Sequence, residues 1–455
     1  MDERRKRIFG WMMFDWASQP YNTLLLTFIF GPYFAEIVIA RLEGEGVPHE
    51  AARAEAQAWW GYGLTTAGLL IAFLAPVLGA IADSAGRRMP WIRAFSVLYV
   101  VGAGALWFSA PGQFSVVFLL VAFGIGLIGM EFATIFTNAL LPALGQDPEI
   151  GRISGSGWAW GYVGGVLSLV IMLAFFAENA QGVTMLGTPP ALGLDPAARE
   201  GTRFVGPFTA LWYAVFMIPF FAWVKEPRAE VVRGPSVAQG LRDLWATLRR
   251  LPRNVSLSAY LGSSMFYRDA LNGMYTFGGI YALGVLGWSV IDIGIFGIMA
   301  ALTGALFAWL GGKADARFGP KPVIVASILA LTLTAIVIVG ISREAVFGLP
   351  LAQSSALPDI LFYICGGVIG GAGGTLQAAS RTMMVRQANP ARMTEAFGLY
   401  ALAGKATTFL APAAIAVTTD LSGSQRMGVT PLIALFLLGL VLLLWVRPEG
   451  HRETP

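Results

Sequence analysis

Asp15, Gln19 and Asn22 stand four and three residues apart in an apolar stretch, so a helix would set all three on one face. Glu131 interrupts a second such stretch and Arg268, Asp269 and Asn272 a third, while Gln377 with Arg381 and then Lys405 interrupt two more. An ionisable group at mid-bilayer costs roughly 2.5–3.5 kcal/mol, so each of these side chains needs a reason to be there. Two kinds of chemistry fit. In one, Arg268, Asp269 and Lys405, with Tyr21, Asn22 and Asn272, line a cavity and meet a zwitterionic or anionic solute, while Asp15 or Glu131 takes up a proton. In the other, the charges are buried pairs such as Glu131–Arg381 that fix helix register at little net stability. Arg268 and Asp269 are adjacent and point about 100° apart on a helix, so they cannot share one partner. Asp15 is expected to serve a cytoplasmic gate, and Glu131 with Arg381 a structural or gating pair. Tyr21, Trp160, Tyr162 and Tyr267 could shape a pocket or simply pack.

The elements that must position these residues follow from composition. Of 455 residues, 56% are hydrophobic and 13% charged, against roughly 25% charged in soluble domains. The apolar runs far exceed the 5 to 8 residues or so of a buried strand. Cys365 is the sole cysteine and excludes an internal disulfide; His49 and His451 fall outside the apolar runs. Neither a metal nor another cofactor is expected. The net charge of +4 is spread over alternate loops rather than gathered in a basic stripe, so nucleic acid is not an expected partner.

A membrane-spanning helix needs about 20 apolar residues. That rule gives an all-α membrane protein of twelve transmembrane helices in two six-helix bundles. The first six run near Ile8–Ile39, Trp59–Ala82, Trp91–Ser109, Phe114–Leu140, Ile153–Ala177 and Pro207–Val224. The second six run near Val255–Leu283, Ser289–Gly312, Val323–Ile341, Ile360–Val385, Thr394–Thr418 and Pro431–Val446. The expected division is residues 1–224, a cytoplasmic linker 225–253, and residues 254–455. Roughly 22 Lys and Arg fall in one set of alternate loops and roughly 6 in the other, which places both termini in the cytoplasm of a bacterial inner membrane. The opening basic cluster is followed by a run too long for a secretory signal, holding Asp15 and lacking a small-residue cleavage site, so it is expected to remain as the first helix. Within the linker, Ser236–Leu251 carries Val237, Leu241, Leu244, Leu248 and Leu251 at helical spacing among Arg242, Arg249 and Arg250. This reads as an amphipathic helix on the anionic inner leaflet, or as a spacer between bundles. Pro20, Pro32, Pro76 and Pro412 are expected to kink their spans. The glycines from Gly366 to Gly374 lie in an apolar helix without a preceding strand, so they serve close packing rather than a nucleotide.

Gly79-x-x-x-Asp83-x-x-Gly86-Arg87-Arg88 follows the second span, and Gly311-x-x-x-Asp315-x-x-x-Gly319-Pro320-Lys321 follows the eighth. This repeat resembles the signature loop of the major facilitator superfamily, built from parallel six-helix repeats. The resemblance implies that Asp83 contacts the start of the eleventh helix near Thr394-Glu395, that Arg87 and Arg88 bridge neighbouring helices, and that Asp315 repeats the gate in the other half. The second copy has one extra residue and an inserted proline, which makes its details differ. Phe14–Gln19 with Tyr21, then Phe136–Pro142, Arg152–Ser154, Trp158–Tyr162, Phe277–Tyr281 and Gly374-x-x-Gln377-x-x-Ser380-Arg381 resemble the vacuolar-effluxer-like branch of that superfamily. That branch includes fungal exporters of vacuolar amino acids. The resemblance implies a monomeric secondary carrier of a small molecule, an amino acid or similar metabolite, with protons as candidate coupling ions and the lipid bilayer as surroundings. The rival readings are a polytopic membrane enzyme and a non-transporting sensor; the sequence carries no paired-Asp protease motif and no His pairs in its spans.

Overall fold

The computed structural model describes residues 2–226, 237–288, 290–352 and 355–450. Ser236, Ser289 and His451, with linker residues 227–236, lie outside the described residues. Helices α1 (Glu3–Gly44), α2 (His49–Ala85), α3 (Met89–Phe108), α4 (Val116–Asn138), α5 (Asp147–Phe175) and α6 (Glu200–Trp223) form the first six spans. A short helix α7 (Val237–Arg250) precedes α8 (Val255–Leu286), α9 (Val290–Phe318), α10 (Pro320–Gly340) and α11 (Leu357–Gln387). The eleventh span is two helices, α12 (Met393–Ala406) and α13 (Leu410–Ser422), and α14 (Gln425–Trp445) is the twelfth. Among the described residues, eleven spans are long and apolar enough to cross a membrane. The remaining one, α8, is 32 residues long but carries Arg268, Asp269 and Asn272, which lower its apolarity rather than its reach. A two-residue hairpin, β1 (Ala345–Val346) against β2 (Leu349–Pro350), caps the α10–α11 connection.

Two spans begin or end well outside the expected limits. α2 starts at His49, ten residues before the hydrophobic run, because Glu50 to Ala58 are good helix formers once a helix exists to extend. α9 continues to Phe318, so Lys313, Asp315 and Arg317 lie on its last turns rather than in a loop. Asp83 likewise stands inside α2.

The chain divides into two compact units. One comprises Met1–Phe73, Gly86–Thr137 and Trp160–Glu230; the other comprises Leu74–Ala85, Asn138–Ala159 and Val231–Pro455.

In the first unit, Pro20 decides the form of α1. Proline has no N–H for the carbonyl of Trp16 four residues back. Trp212 of α6 donates its Nε1–H to that carbonyl instead, at 3.2 Å. The two indoles stack with centroids 5.7 Å apart, and Trp160 meets Trp16 edge-on at 5.3 Å. Beyond Pro20 the chain is π-helical from Tyr21 to Phe28 and then resumes the α form. Pro76, by contrast, leaves α2 unbroken. The loop between α5 and α6 is held to the start of α6 by Glu178, which accepts from the Thr202 backbone at 3.1 Å and hydroxyl at 2.7 Å. Arg199 on the same loop reaches Glu36 of α1 at 2.9 Å.

In the second unit, Pro412 turns an expected kink into a break. It lacks the N–H that would continue the helix from Thr408, and the chain leaves helical geometry at Thr407–Phe409 before α13 begins.

Candidate functional site

The break leaves the N–H groups at the start of α13 without helical partners. Asp269 of α8 supplies one acceptor: its Oδ2 takes the Ala411 N–H at 2.7 Å. A carboxylate at a helix N-terminus is favourable on charge as well as hydrogen bonding. Asp269 is 2% exposed, and its Oδ1 has no hydrogen-bond partner among the described residues. The neighbouring Arg268 turns to the other half of the broken span. Its Nη1 donates to the Tyr400 carbonyl at 3.0 Å, and its guanidinium lies 4.2 Å over the Tyr400 ring. Tyr260 stacks on Tyr400, and the Tyr260 and Tyr267 hydroxyls both meet Ser380 of α11, at 2.5 and 2.8 Å. The adjacent charges of α8 therefore part as the helix geometry requires, one to each half of α12–α13. Lys405 is half-buried on the last turn of α12, next to the break, and Asn272 is exposed one turn beyond Arg268.

A second cluster sits where α2 meets α12. Gly79 packs against backbone: a Cβ there would fall 2.6 Å from the Thr394 oxygen and 2.9 Å from Glu395 Cα. One turn on, Asp83 Oδ2 accepts the Glu395 N–H at 2.8 Å. Gly398 repeats the close approach against Ala75 and Pro76, with 2.5 Å from its virtual Cβ to the Ala75 oxygen. Thr394 and Glu395 are buried, at 0% and 2% exposure.

The repeat on α9 makes the corresponding approach to α5. Asp315 is 1% exposed and lies against Gly151, where an added Cβ would be 2.5 Å from the carboxyl carbon. Neither oxygen of Asp315 meets hydrogen-bond geometry among the described residues, although the Thr382 hydroxyl and the Arg386 guanidinium stand near enough to act on its charge. Asp83 caps a helix start, whereas Asp315 lies about one turn inside α5. The turn glycines Gly86 and Gly319 both take positive φ, +64° and +82°, which is why each motif needs glycine there.

Arg381 ties the same region together from α11. Its Nε donates to Ser154 Oγ at 2.9 Å, Nη2 to the Ser154 carbonyl at 2.8 Å, and Nη1 to Asn138 Oδ1 at 3.1 Å. Ser154 Oγ in turn donates to the Ala378 carbonyl at 2.8 Å. Trp158 lies below the guanidinium at 5.7 Å. The partners Ser154, Asn138, Tyr400 and the Ala411 N–H went unrecognised in the sequence, since nothing in residue spacing links positions so far apart along the chain.

The other candidates lie in the first unit. Asp15 is half-buried on α1, with its backbone against Gly161 of α5; Glu131 is half-buried on α4; Asn22 is half-buried in the π-helical segment. Tyr21 is fully buried, its hydroxyl donating to the Phe123 carbonyl at 2.6 Å and its ring edge-on to Tyr99, so in this conformation it packs rather than faces a solute. Arg87 is exposed and makes no hydrogen bond or ion pair among the described residues, in contrast to the expected bridge. Arg88 is placed through its backbone: its N–H and that of Met89 donate to the two oxygens of Glu226, at 2.7 and 3.2 Å, so a side chain just past α6 caps α3. A hollow of about 680 Å³ lined by Arg41, Glu45, Phe108 and Phe114 includes none of the candidate residues. Among the described residues no three His, Cys, Asp or Glu side chains gather as metal ligands would.

The family model described as "Vacuole effluxer Atg22 like" matches residues 3–454. The MFS-type transporter YxiO of Bacillus subtilis is 25% identical over 448 residues, 98% of this chain and 96% of its own. Autophagy-related protein 22 of Cryptococcus neoformans is 23% identical over 314 residues, 67% of this chain; the match covers 52% of that protein, so the chain spans about half the length of such fungal relatives. Among solved structures, the human organic anion transporter MFSD10 aligns with TM-score 0.69 at 18% identity, over 97% of this chain and 100% of its own. The proton:xylose symporter XylE aligns with TM-score 0.67 at 12% identity, over 98% and 97%. These likenesses establish the major facilitator fold.

Proposed function

The chain belongs to the vacuole effluxer Atg22-like family, and on that premise we propose that it is a secondary active transporter moving a small solute by alternating access. It is an integral membrane protein of the major facilitator type, and its relatives and structural neighbours are transporters, not enzymes. The observation that carries the proposal is the α2–α12 contact, in which Asp83 holds the Glu395 N–H beside backbone-to-backbone packing at Gly79 and Gly398. Such a contact can close one face of a carrier and part without leaving a buried charge unsolvated, because Asp83 is only half-buried. On the basic-loop assignment that face is cytoplasmic, with both termini on the same side of a bacterial inner membrane.

We assign Asp83, Asp315 and Arg381 to this closure, and Asp15, Arg87 and Arg88 of the first unit as further gating residues. Arg268, Asp269, Asn272 and Lys405 on α8 and α12 form the proposed solute-contacting set of the second unit, and Asn22 is a separate candidate in the first; Tyr21 belongs to the packing. The Arg268 cation among Tyr260, Tyr267 and Tyr400 suits the carboxylate of an amino acid or a similar metabolite. Glu131 is the proposed proton carrier, and a monomer is the working unit.

Counterflow in proteoliposomes tests the proposal. Labelled amino acid entering vesicles preloaded with unlabelled solute, at a saturable rate, supports a carrier. Passage without exchange means a channel, and no passage of any ligand that raises the melting temperature means a sensor. Uptake still driven by a pH gradient in both Glu131→Gln and Asp269→Asn removes these carboxylates from proton coupling.

A further inference from the structure

Helix α7 divides its apolar surface between two neighbours. Gly240, Leu244 and Thr247 recur at helical spacing on one side. Gly240 packs on α2, where an added Cβ would lie 3.0 Å from the Ile81 backbone, and Leu244 is 7% exposed. Thr247 Oγ1 accepts from Arg392 Nη1 at 3.1 Å, one residue before α12 begins. This side therefore touches the last turns of α2 and the approach to α12, the same two elements that Asp83 and Glu395 join.

The adjoining side carries Leu241, Trp245 and Leu248, exposed to 45%, 56% and 36%. Apolar groups in a row on a surface helix need a cover. Arg242 and Arg249 border that row, with the Arg249 guanidinium 5.0 Å over the Trp245 ring, and Arg250 and Arg253 follow; all four are exposed. Among the described residues none of the four has a carboxylate partner within ion-pair distance. An apolar strip edged by arginines over an indole matches an acyl boundary below anionic headgroups, and the helix ends at Arg250, shortly before the long helix α8 begins at Val255.

We propose that α7 docks on anionic phospholipid headgroups and, held there, clamps the ends of α2 and α12 together, so that lipid charge favours the closed gate. The docking stands on α7 alone; the clamp rests on the gate reading of Asp83 and Glu395. The probe is a fluorophore on Leu248→Cys in a Cys365→Ala background, with full-length protein in nanodiscs of phosphatidylcholine or of equal phosphatidylcholine and phosphatidylglycerol. Headgroup-borne quencher should reach it more strongly in the anionic discs. Arg242→Gln/Arg249→Gln/Arg250→Gln should abolish the difference, by about fivefold in affinity per arginine, and the matching lysine triple should retain it. In the same discs, alkylation of Thr394→Cys should slow several-fold in phosphatidylglycerol for the parent and not for the glutamine triple.

Equal quenching in both lipids, or a lysine triple as impaired as the glutamine triple, overturns the docking. Shielding of the probe in detergent that grows with protein concentration and is lost in Leu241→Gln/Trp245→Gln would mean a second copy covers the strip, and overturns it too. Lipid-dependent quenching with unchanged Thr394→Cys reactivity overturns the clamp. Gly79→Ala in that last case separates the causes: if it exposes Thr394→Cys, the gate reading stands and only the coupling fails.

Discussion

Gly79→Ala is the most direct perturbation of the proposed gate. The new methyl would meet Thr394 O at 2.6 Å, Thr394 C at 2.8 Å and Glu395 Cα at 2.9 Å. All three are backbone atoms, so no rotamer change relieves the clash and α2 must draw away from α12 by about an ångström. Overpacking of this kind costs about 1–3 kcal/mol. The helix-propensity gain of alanine over glycine, up to about 1 kcal/mol, applies in open and closed states alike and cancels. The closed state should therefore lose about 5- to 150-fold in population relative to the open one. Thr394 is 0% exposed, so in a Cys365→Ala background a Thr394→Cys thiol reports opening by its rate of reaction with a membrane-impermeant maleimide. Gly68→Ala is the matched control on the same helix, because a Cβ there meets nothing within 4 Å. If Gly79→Ala reacts no faster than Gly68→Ala, the α2–α12 approach does not limit access and the gate assignment fails.

Gly151→Ala presses a methyl onto the Asp315 carboxyl group; paired with Asp315→Ala it should show a coupling energy of about 0.5–3 kcal/mol in a double-mutant cycle on thermal or denaturant stability, and additive effects would place the two residues apart. Asp269→Ala removes the acceptor of the Ala411 N–H and should cost about 1–2 kcal/mol, read as a lowered melting temperature, whereas Asp269→Asn keeps an oxygen there and should fall by less. Arg381→Lys retains charge but cannot repeat three directed N–H donations to Ser154 and Asn138; it should be destabilised nearly as much as Arg381→Gln, and near-wild-type stability of the lysine variant would show that charge alone matters. Thiol labelling of single cysteines at positions 87 and 317 should place both on the same side of the membrane.

Much of this architecture is legible in residue order because hydrocarbon imposes it. Long apolar runs and two spaced Gly–Asp motifs are local properties, and they survive as eleven long apolar spans among the described residues and as the positive-φ turn glycines Gly86 and Gly319. The contact of Asp83 with the start of α12 was expected from resemblance and its geometry is present. Hydropathy could not locate the polar extension of α2 from His49, since those residues are helical without needing lipid. Nor could it separate a kink from a break at Pro412: the outcome depends on Asp269, 142 residues away, accepting a freed N–H. Arg381 illustrates the same limit, as its partners lie 227 and 243 residues earlier in the chain. Tyr21 marks the opposite case, where a polar group on a promising face is spent on packing.

The interruption between α12 and α13 gives the eleventh span the mechanics of a jointed lever rather than a stiff rod. Each arm has its own anchor on α8, Arg268 for the one and Asp269 for the other. A swing of α12 need not drag α13 with it, so displacement at Glu395 would be absorbed at the joint. Transport strokes in such a span can be staged, with one end releasing before the other yields.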